Sequence, residues 1–238
     1  MGLIYFIEFS RNARDTWSYG ADLSYNSDGS VRYSNQRSGP VQSIQVWRNR
    51  MDAGVGPILP ILRCSSEYQL LADIDCEPEN SLGFTVTFYD ESKAEISSEF
   101  FQTLSATFTV PEETRSYQIA LTNLNNVAFT FHSLLLAQPQ DLTDVSVVRG
   151  PQNQWLQLSQ SGKPQRQSLV LVSGYDTLLN LPIEPAAQTY YWRCNEKTLR
   201  HPESLIAFAI KLRQSGALTI VSAGLGTADL AKAVQARL

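Results

Sequence analysis

From Leu82 to Asp90 the chain alternates strictly. Phe84, Val86 and Phe88 fall on one parity, and Thr85, Thr87 and Tyr89 on the other. A period of two, enriched in Thr and aromatic residues, places one face of a strand against a core and leaves the other wetter. The pattern recurs at Tyr117, Ile119 and Leu121, and again from Phe129 and Phe131 to Leu136. Further strands are expected at Leu3–Phe9, Tyr19–Tyr25, Val31–Asn35, Ser43–Trp47, Tyr68–Ile74 and Ala106–Val110. Turn signals separate them: Asp28-Gly29, Ser38-Gly39-Pro40 and Cys76-Glu77-Pro78-Glu79-Asn80. Many short strands between frequent turns predict a β-sandwich of the jelly-roll kind over residues 1–138.

The period changes after that. Residues 139–167 read as a linker. Five glutamines fall between Gln138 and Gln157, with Gly150-Pro151 and Gly162-Lys163-Pro164 as breakers and Trp155 and Leu156 as interruptions. Residues 168–238 read as a smaller α/β region. Leu169–Val172 is short and apolar enough for a buried strand. A helix is expected to open at His201-Pro202-Glu203, with Pro in the first turn, and to end at Gly216. Leu205, Ile206, Ala209, Ile210 and Leu212 give it an apolar stripe. Leu218–Val221 reads as a second strand, and Thr227 is placed to cap a last helix bearing Leu230, Val234 and Leu238.

Composition narrows the function classes. The net charge is −4 over 238 residues, which argues against a nucleic-acid binder, whose footprint is basic. Residues 1–138 hold nine Lys and Arg against sixteen Asp and Glu, whereas residues 139–238 hold ten against seven. That asymmetry points to two differently built regions. Cys64, Cys76 and Cys194 have no short-spaced pair and read as reduced structural thiols, neither a disulfide framework nor a metal site. The apolar run Gly2–Ile7 breaks at Glu8 and lacks a basic start, so a secretory signal is not expected. Phe6 stands where a myristoylation motif needs Ser or Thr, and no stretch approaches a membrane span. These features predict a cytoplasmic protein.

Candidate chemistry is sparse. His132 lies inside a strand and His201 just before a helix, with no paired ligand spacing. Val172-Ser173-Gly174 lacks the first glycine of a nucleophile elbow. Gly224-Leu225-Gly226-Thr227 follows a strand and opens a helix, an anion-binding arrangement in outline. Asp229 stands where a dinucleotide fingerprint needs its third glycine, so a tight turn is the plainer reading. The acidic pairs Asp73/Asp75, Glu77/Glu79 and Glu112/Glu113 read as solvated faces. No catalytic set, metal or cofactor is expected. Trp17, Tyr19, Tyr33 and Trp47 lie near strand ends, where rings can stack on sugars, with Asn35, Gln45 and Arg48 placed to bond hydroxyls. The alternative is that Tyr33 and Trp47 are core residues.

An ordered series runs through the first region. It comprises Tyr19-Gly20, Asp28-Gly29-Ser30-Val31 with Tyr33 and Asn35, Ser38-Gly39, and Trp47. It continues with Pro57-Ile58-Leu59-Pro60 and Leu62, Tyr68, and Phe88-Tyr89-Asp90. It closes with Pro111-Glu112-Glu113, Ser116-Tyr117, Ile119, Leu121, Asn123 and Phe131-His132-Ser133. In this the chain resembles the third and smallest of the three Asp-type accessory Sec protein families of Gram-positive bacteria. Gln36-Arg37 departs from the Met-Pro of that pattern, and the resemblance does not extend past about residue 140. It implies a non-catalytic subunit with a fold like a carbohydrate-binding module, acting in export of glycosylated serine-rich repeat adhesins. It implies as partners two larger Asp-type proteins, the accessory Sec motor ATPase and the adhesin itself. Location at the inner face of the membrane would come through those partners, and exposed strand edges leave self-association open. The alternative is a stand-alone module that binds N-acetylglucosamine-type sugars.

Overall fold

The alternating segments of the first region fold as strands. In the computed structural model these are β1 (Gly2–Ile7), β2 (Asp22–Tyr25), β3 (Val31–Ser34), β4 (Gln42–Arg48) and β5 (Glu67–Glu77). They are followed by β6 (Leu82–Tyr89), β7 (Glu95–Phe101), β8 (Ser105–Thr109), β9 (Ser116–Asn123) and β10 (Ala128–Ala137). The structure describes residues 2–10, 16–26, 29–35, 41–49, 59–151, 154–160, 166–173, 178–183, 187–224 and 226–238. Asp28, Gln36-Arg37, Ser38-Gly39-Pro40, Pro57-Ile58 and Gly162-Lys163-Pro164 lie outside the described residues. The chain divides into one compact unit of Tyr5–Gln140 and a second of Asp141–Leu238 with Met1–Ile4.

In the first unit the strands from β3 onward pass back and forth between two sheets. One sheet runs β3-β10-β5-β8 and the other β4-β9-β6-β7. Every neighbouring pair is antiparallel. This interleaving is the jelly-roll topology expected from the sequence. β10 is long enough to hold two strands on one edge: Phe129–Phe131 face β3, and Leu134–Leu136 face β1. Its register against β5 shifts between Phe131 and Ser133, so His132 is the extra residue of a bulge. The β2–β3 hairpin turns at Gly29, whose φ is +83°, with the Asn26 amide donating to the Ser30 carbonyl at 2.9 Å.

Inward positions of the two sheets meet in an aromatic core. Trp47 of β4 packs on Phe131 of β10, with ring centres 5.7 Å apart, and edge-on to Phe9 at 6.2 Å. Phe88 of β6 lies between Phe108 of β8 and Tyr117 of β9. Such ring pairs contribute about 0.5–1.5 kcal/mol each beyond the area they bury. Tyr117 is fully buried, and its hydroxyl donates to the Pro60 carbonyl at 2.9 Å.

A short helix α1 (Pro139–Leu142) crosses the division, and the second unit then contains β11 (Val145–Arg149), β12 (Trp155–Gln160), β13 (Arg166–Ser173), β14 (Leu178–Ile183) and β15 (Ala187–Cys194). It ends with α2 (Glu196–Arg200), α3 (Glu203–Ser215), β16 (Leu218–Ser222) and α4 (Ala228–Gln235). Its sheet has the order β11-β12-β15-β13-β16, with β13 parallel to both β15 and β16. On one face Leu169, Leu171, Tyr190 and Trp192 pack under Leu205, Ala209 and Leu212 of α3 and Leu230 and Val234 of α4. The two expected helices are present, with Leu205, Ala209 and Leu212 of α3 and Leu230 and Val234 of α4 buried, whereas Ile210 is exposed and Leu238 lies beyond α4.

Three expectations need correction. The stretch 139–167 is not a plain linker, because β11 and β12 pair through it from Val145–Gln160 to Arg149–Leu156. Gln157 and Ser159 fall on one parity of β12, while Leu156 and Leu158 are buried on the other. Thr227 sits at the start of α4 but makes no side-chain cap; its hydroxyl is engaged elsewhere, as described below. Gly216 ends α3 in an extended conformation, with φ 160° and ψ −173°, rather than as a left-handed cap. No described helix is long and apolar enough to cross a membrane.

Candidate functional site

The seven residues singled out on the sandwich separate into two groups. Tyr33 shares its strand parity with Val31, so it points inward; it is 1% exposed and stacks on Phe129 at 4.8 Å with an interplanar angle of 11°. Trp47 is 0% exposed, and its indole Nε1 donates to the Glu8 carbonyl at 2.8 Å. Phe9 and Phe131 pack around it, which leaves no ring face for a sugar. Gln45 is also wholly buried. Its Oε1 accepts from the Thr16 hydroxyl at 2.7 Å, and its Nε2 donates to the Val46 carbonyl at 3.1 Å. These three side chains build the core.

The other four stand at the surface. Trp17 is half-buried and extends the β4 edge, its amide donating to the Ile44 carbonyl at 2.7 Å. Tyr19 is 50% exposed. It has a φ of +51° and is followed by Gly20 at +85°, with the Ala21 amide donating to the Ser18 carbonyl at 2.8 Å. Two successive positive φ values make this a type I′ turn. Asn35 is tied to Val127 through its amide at 2.7 Å, and its side chain reaches the Tyr33 hydroxyl at 3.4 Å. Arg48 lies on β4 opposite Gln118 of β9. The structure therefore brings Trp17 and Arg48 to one sheet and Asn35 to the other, rather than into one ring-lined groove.

Other sequence candidates resolve into packing. The Thr227 hydroxyl accepts from the Gly224 amide at 3.2 Å, donates to the Gly224 carbonyl at 2.7 Å and lies 2.6 Å from the Ser222 hydroxyl. A Cβ on Gly224 would lie 2.4 Å from the Ser173 amide nitrogen, so this glycine permits close approach of loop and strand. The turn thus binds itself, as the plainer reading had it. Cys64, Cys76 and Cys194 are all free thiols, and burial pushes Cys194 up to about 12, far from a reactive thiolate. Asp73 and Asp75 lie exposed on the outer face of β5. His132, thrown out by the bulge, brings Nε2 to 3.0 Å from Asp75 Oδ2.

A cleft of about 490 Å³ also opens on the sandwich. Asp75, Cys76, Glu79 and Asn80 line one side, and Gln102 and Thr103 the other. β5 and β8 pair antiparallel, and that pairing joins turns far apart in sequence; no local motif announces it.

With the geometry in hand, similarities to known proteins become specific. Residues 16–138 match the family model described as accessory Sec secretory system ASP3, which covers most of the jelly-roll unit. The accessory Sec system protein ASP3 of Streptococcus gordonii is 29% identical over 133 residues, 54% of this chain and 84% of that protein. A crystal structure of accessory secretory proteins 1, 2 and 3 in Streptococcus pneumoniae contains a chain 29% identical, with a TM-score of 0.50. The likeness covers 55% of this chain and 93% of that one. In fold alone, a chain of the Glycosylation Associate Protein (Gap123) complex from Streptococcus agalactiae is similar with a TM-score of 0.54 at 21% identity. That likeness covers 92% of this chain and 70% of the other.

Proposed function

The chain belongs to the accessory Sec secretory system ASP3 family, and from that premise we propose that it is a non-catalytic subunit of an accessory Sec export complex. The observation that carries this reading is the coincidence of the family match, residues 16–138, with the jelly-roll unit Tyr5–Gln140. The likeness to a chain solved together with accessory secretory proteins supports assembly with two larger Asp-type proteins. The subunit helps deliver a glycosylated serine-rich repeat adhesin to the motor ATPase at the cytoplasmic face of the membrane, which it reaches through its partners.

Attachment runs through the outer surfaces of the sandwich. Tyr19 is exposed and Trp17, Asn35 and Arg48 reach the surface in part, whereas Tyr33, Gln45 and Trp47 hold the scaffold from within. Interfaces favour aromatic and Arg side chains that are exposed before association. The test is co-expression with both larger Asp-type proteins, followed by affinity capture on one of them. This chain is expected to elute with both, and Tyr19→Asp to weaken its retention. If the chain elutes alone while the other two associate without it, the assignment falls.

A further inference from the structure

The sheet of the second unit is covered unevenly. Helices α3 and α4 pack over one face. On the other face β14 packs against β12 and β15, burying Leu179 and Leu181 together with Leu156, Leu158 and Tyr191. The β13 and β16 half of that face is left as a pocket of about 390 Å³. That is the size range of small-molecule sites, which are apolar with a few placed polar groups.

Its walls are mostly aliphatic, with Val170 and Val172 of β13, Val221 of β16 and Leu178 and Leu179 of β14, and Ser173 and Asn180 add polar groups to the lining. Two hydroxyls sit side by side in the same lining. Ser168 of β13 and Thr189 of β15 are register partners in the parallel pair, and both face the pocket. Ser168 is 9% exposed and Thr189 5%, yet neither hydroxyl is tied to a described residue. Both hydroxyls open into the same cavity, so a group that occupies it can take up their hydrogen bonds without breaking any within the protein. Among the described residues no Lys, Arg, Asp or Glu lines the pocket. An anion would be desolvated there without compensation.

We propose that this pocket binds a neutral acylamide: one carbonyl oxygen accepts from the Ser168 and Thr189 hydroxyls, and its aliphatic flank packs on Val170, Val172 and Val221. A carbonyl has two lone pairs and meets two adjacent donors directly. The same group occurs on an aminoacyl residue and on an N-acetylated aminosugar, and the probes separate these sources. The inference concerns the second unit and does not rest on the export role.

The test is titration of the full-length protein, with valine methyls labelled for NMR, by N-acetyl-L-valinamide, N-acetylglucosamine and inorganic phosphate. Saturable shifts of the Val170, Val172 and Val221 methyls in the millimolar range are expected with at least one of the two acylamides and not with phosphate. The responding probe identifies the source. Ser168→Ala with Thr189→Val should weaken binding roughly tenfold without lowering thermal stability, because neither change removes a hydrogen bond within the protein. Val221→Trp, at a 42% exposed rim position, should block the pocket and abolish the shifts. Absence of saturable shifts with both acylamides, equal response to phosphate, or unchanged affinity in the double variant would overturn the proposal.

Discussion

Trp47 Nε1 donates a hydrogen bond of 2.8 Å to the backbone carbonyl of Glu8, tying the edge strand of one sheet to the segment that follows β1 in the other. The ring fills the space between Phe9 and Phe131, so packing and polar satisfaction depend on one side chain. Trp47→Phe keeps an aromatic ring but leaves the Glu8 carbonyl without this donor, and should cost about 1–3 kcal/mol. Trp47→Ala adds a cavity and should cost about 3–5 kcal/mol. Urea unfolding followed by far-ultraviolet circular dichroism measures both. A Trp47→Ala protein of unchanged stability would contradict the buried placement.

Asn126 is the polar counterpart of Trp47. It is fully buried, and its side-chain amide donates to the Glu77 carbonyl at 3.1 Å and the Ser81 hydroxyl at 2.6 Å. Its own backbone amide donates to Asn123 Oδ1. Asn126→Ala leaves two acceptors without this donor and should lower stability by about 1–3 kcal/mol. The exposed neighbour Asn125 holds a φ of +78°, which glycine adopts freely, so Asn125→Gly should leave stability nearly unchanged. Comparing the two urea midpoints checks the assignment: the Asn126 variant should be the weaker by a clear margin.

In the second unit the sensitive point is Gly224. A methyl group there meets the Ser173 amide nitrogen at 2.4 Å and the Val172 carbonyl carbon at 2.8 Å, both backbone atoms that no side-chain rotation can move. Gly224→Ala should therefore cost about 1–3 kcal/mol by overpacking. Thermal melting of the variant gives the answer, and a melt identical to the parent would show that the loop can retreat from β13.

Alkaline pH should weaken the fold in a defined order. Burial holds the Cys194 thiol at about 12 and pushes the Tyr117 phenol well above its usual value. The unfolded chain releases the thiol proton near pH 9, whereas the folded protein retains it. Stability is thus full below about pH 9 and declines as pH rises toward 12. Urea midpoints measured across that range should fall. Cys194→Ala should flatten the first part of the decline, before the tyrosines of the unfolded chain begin to ionise.

Much of the jelly roll is legible in the sequence because its inner strands alternate cleanly. On one parity β6 places Leu82, Phe84, Val86 and Phe88 inward, and β9 places Tyr117, Ile119 and Leu121. β7 escapes notice because it is an edge strand: Glu95, Ser98 and Glu99 are exposed and need no apolar partner. β15 escapes for a different reason. Tyr190, Tyr191 and Trp192 are consecutive and all buried, since both faces of that strand are covered, so no alternation exists to detect. Strand parity decides which of the site residues lie inside. Val31 and Tyr33 share one face of β3 while Arg32 and Ser34 take the other, so the burial of Tyr33 was readable. Gln45 was not, because the β4 register shifts between Ser43 and Gln45 and brings a polar side chain into the interior.

β10 lies at the middle of its sheet, yet it is the last strand of the sandwich in the chain. β1, β3 and β5 all take their places against it. During synthesis the ribosome therefore releases the flanks of this layer before the piece that joins them. Until Ala137 has emerged, three unsatisfied strand borders wait at once, and the nascent subunit is most exposed to misassociation at that stage.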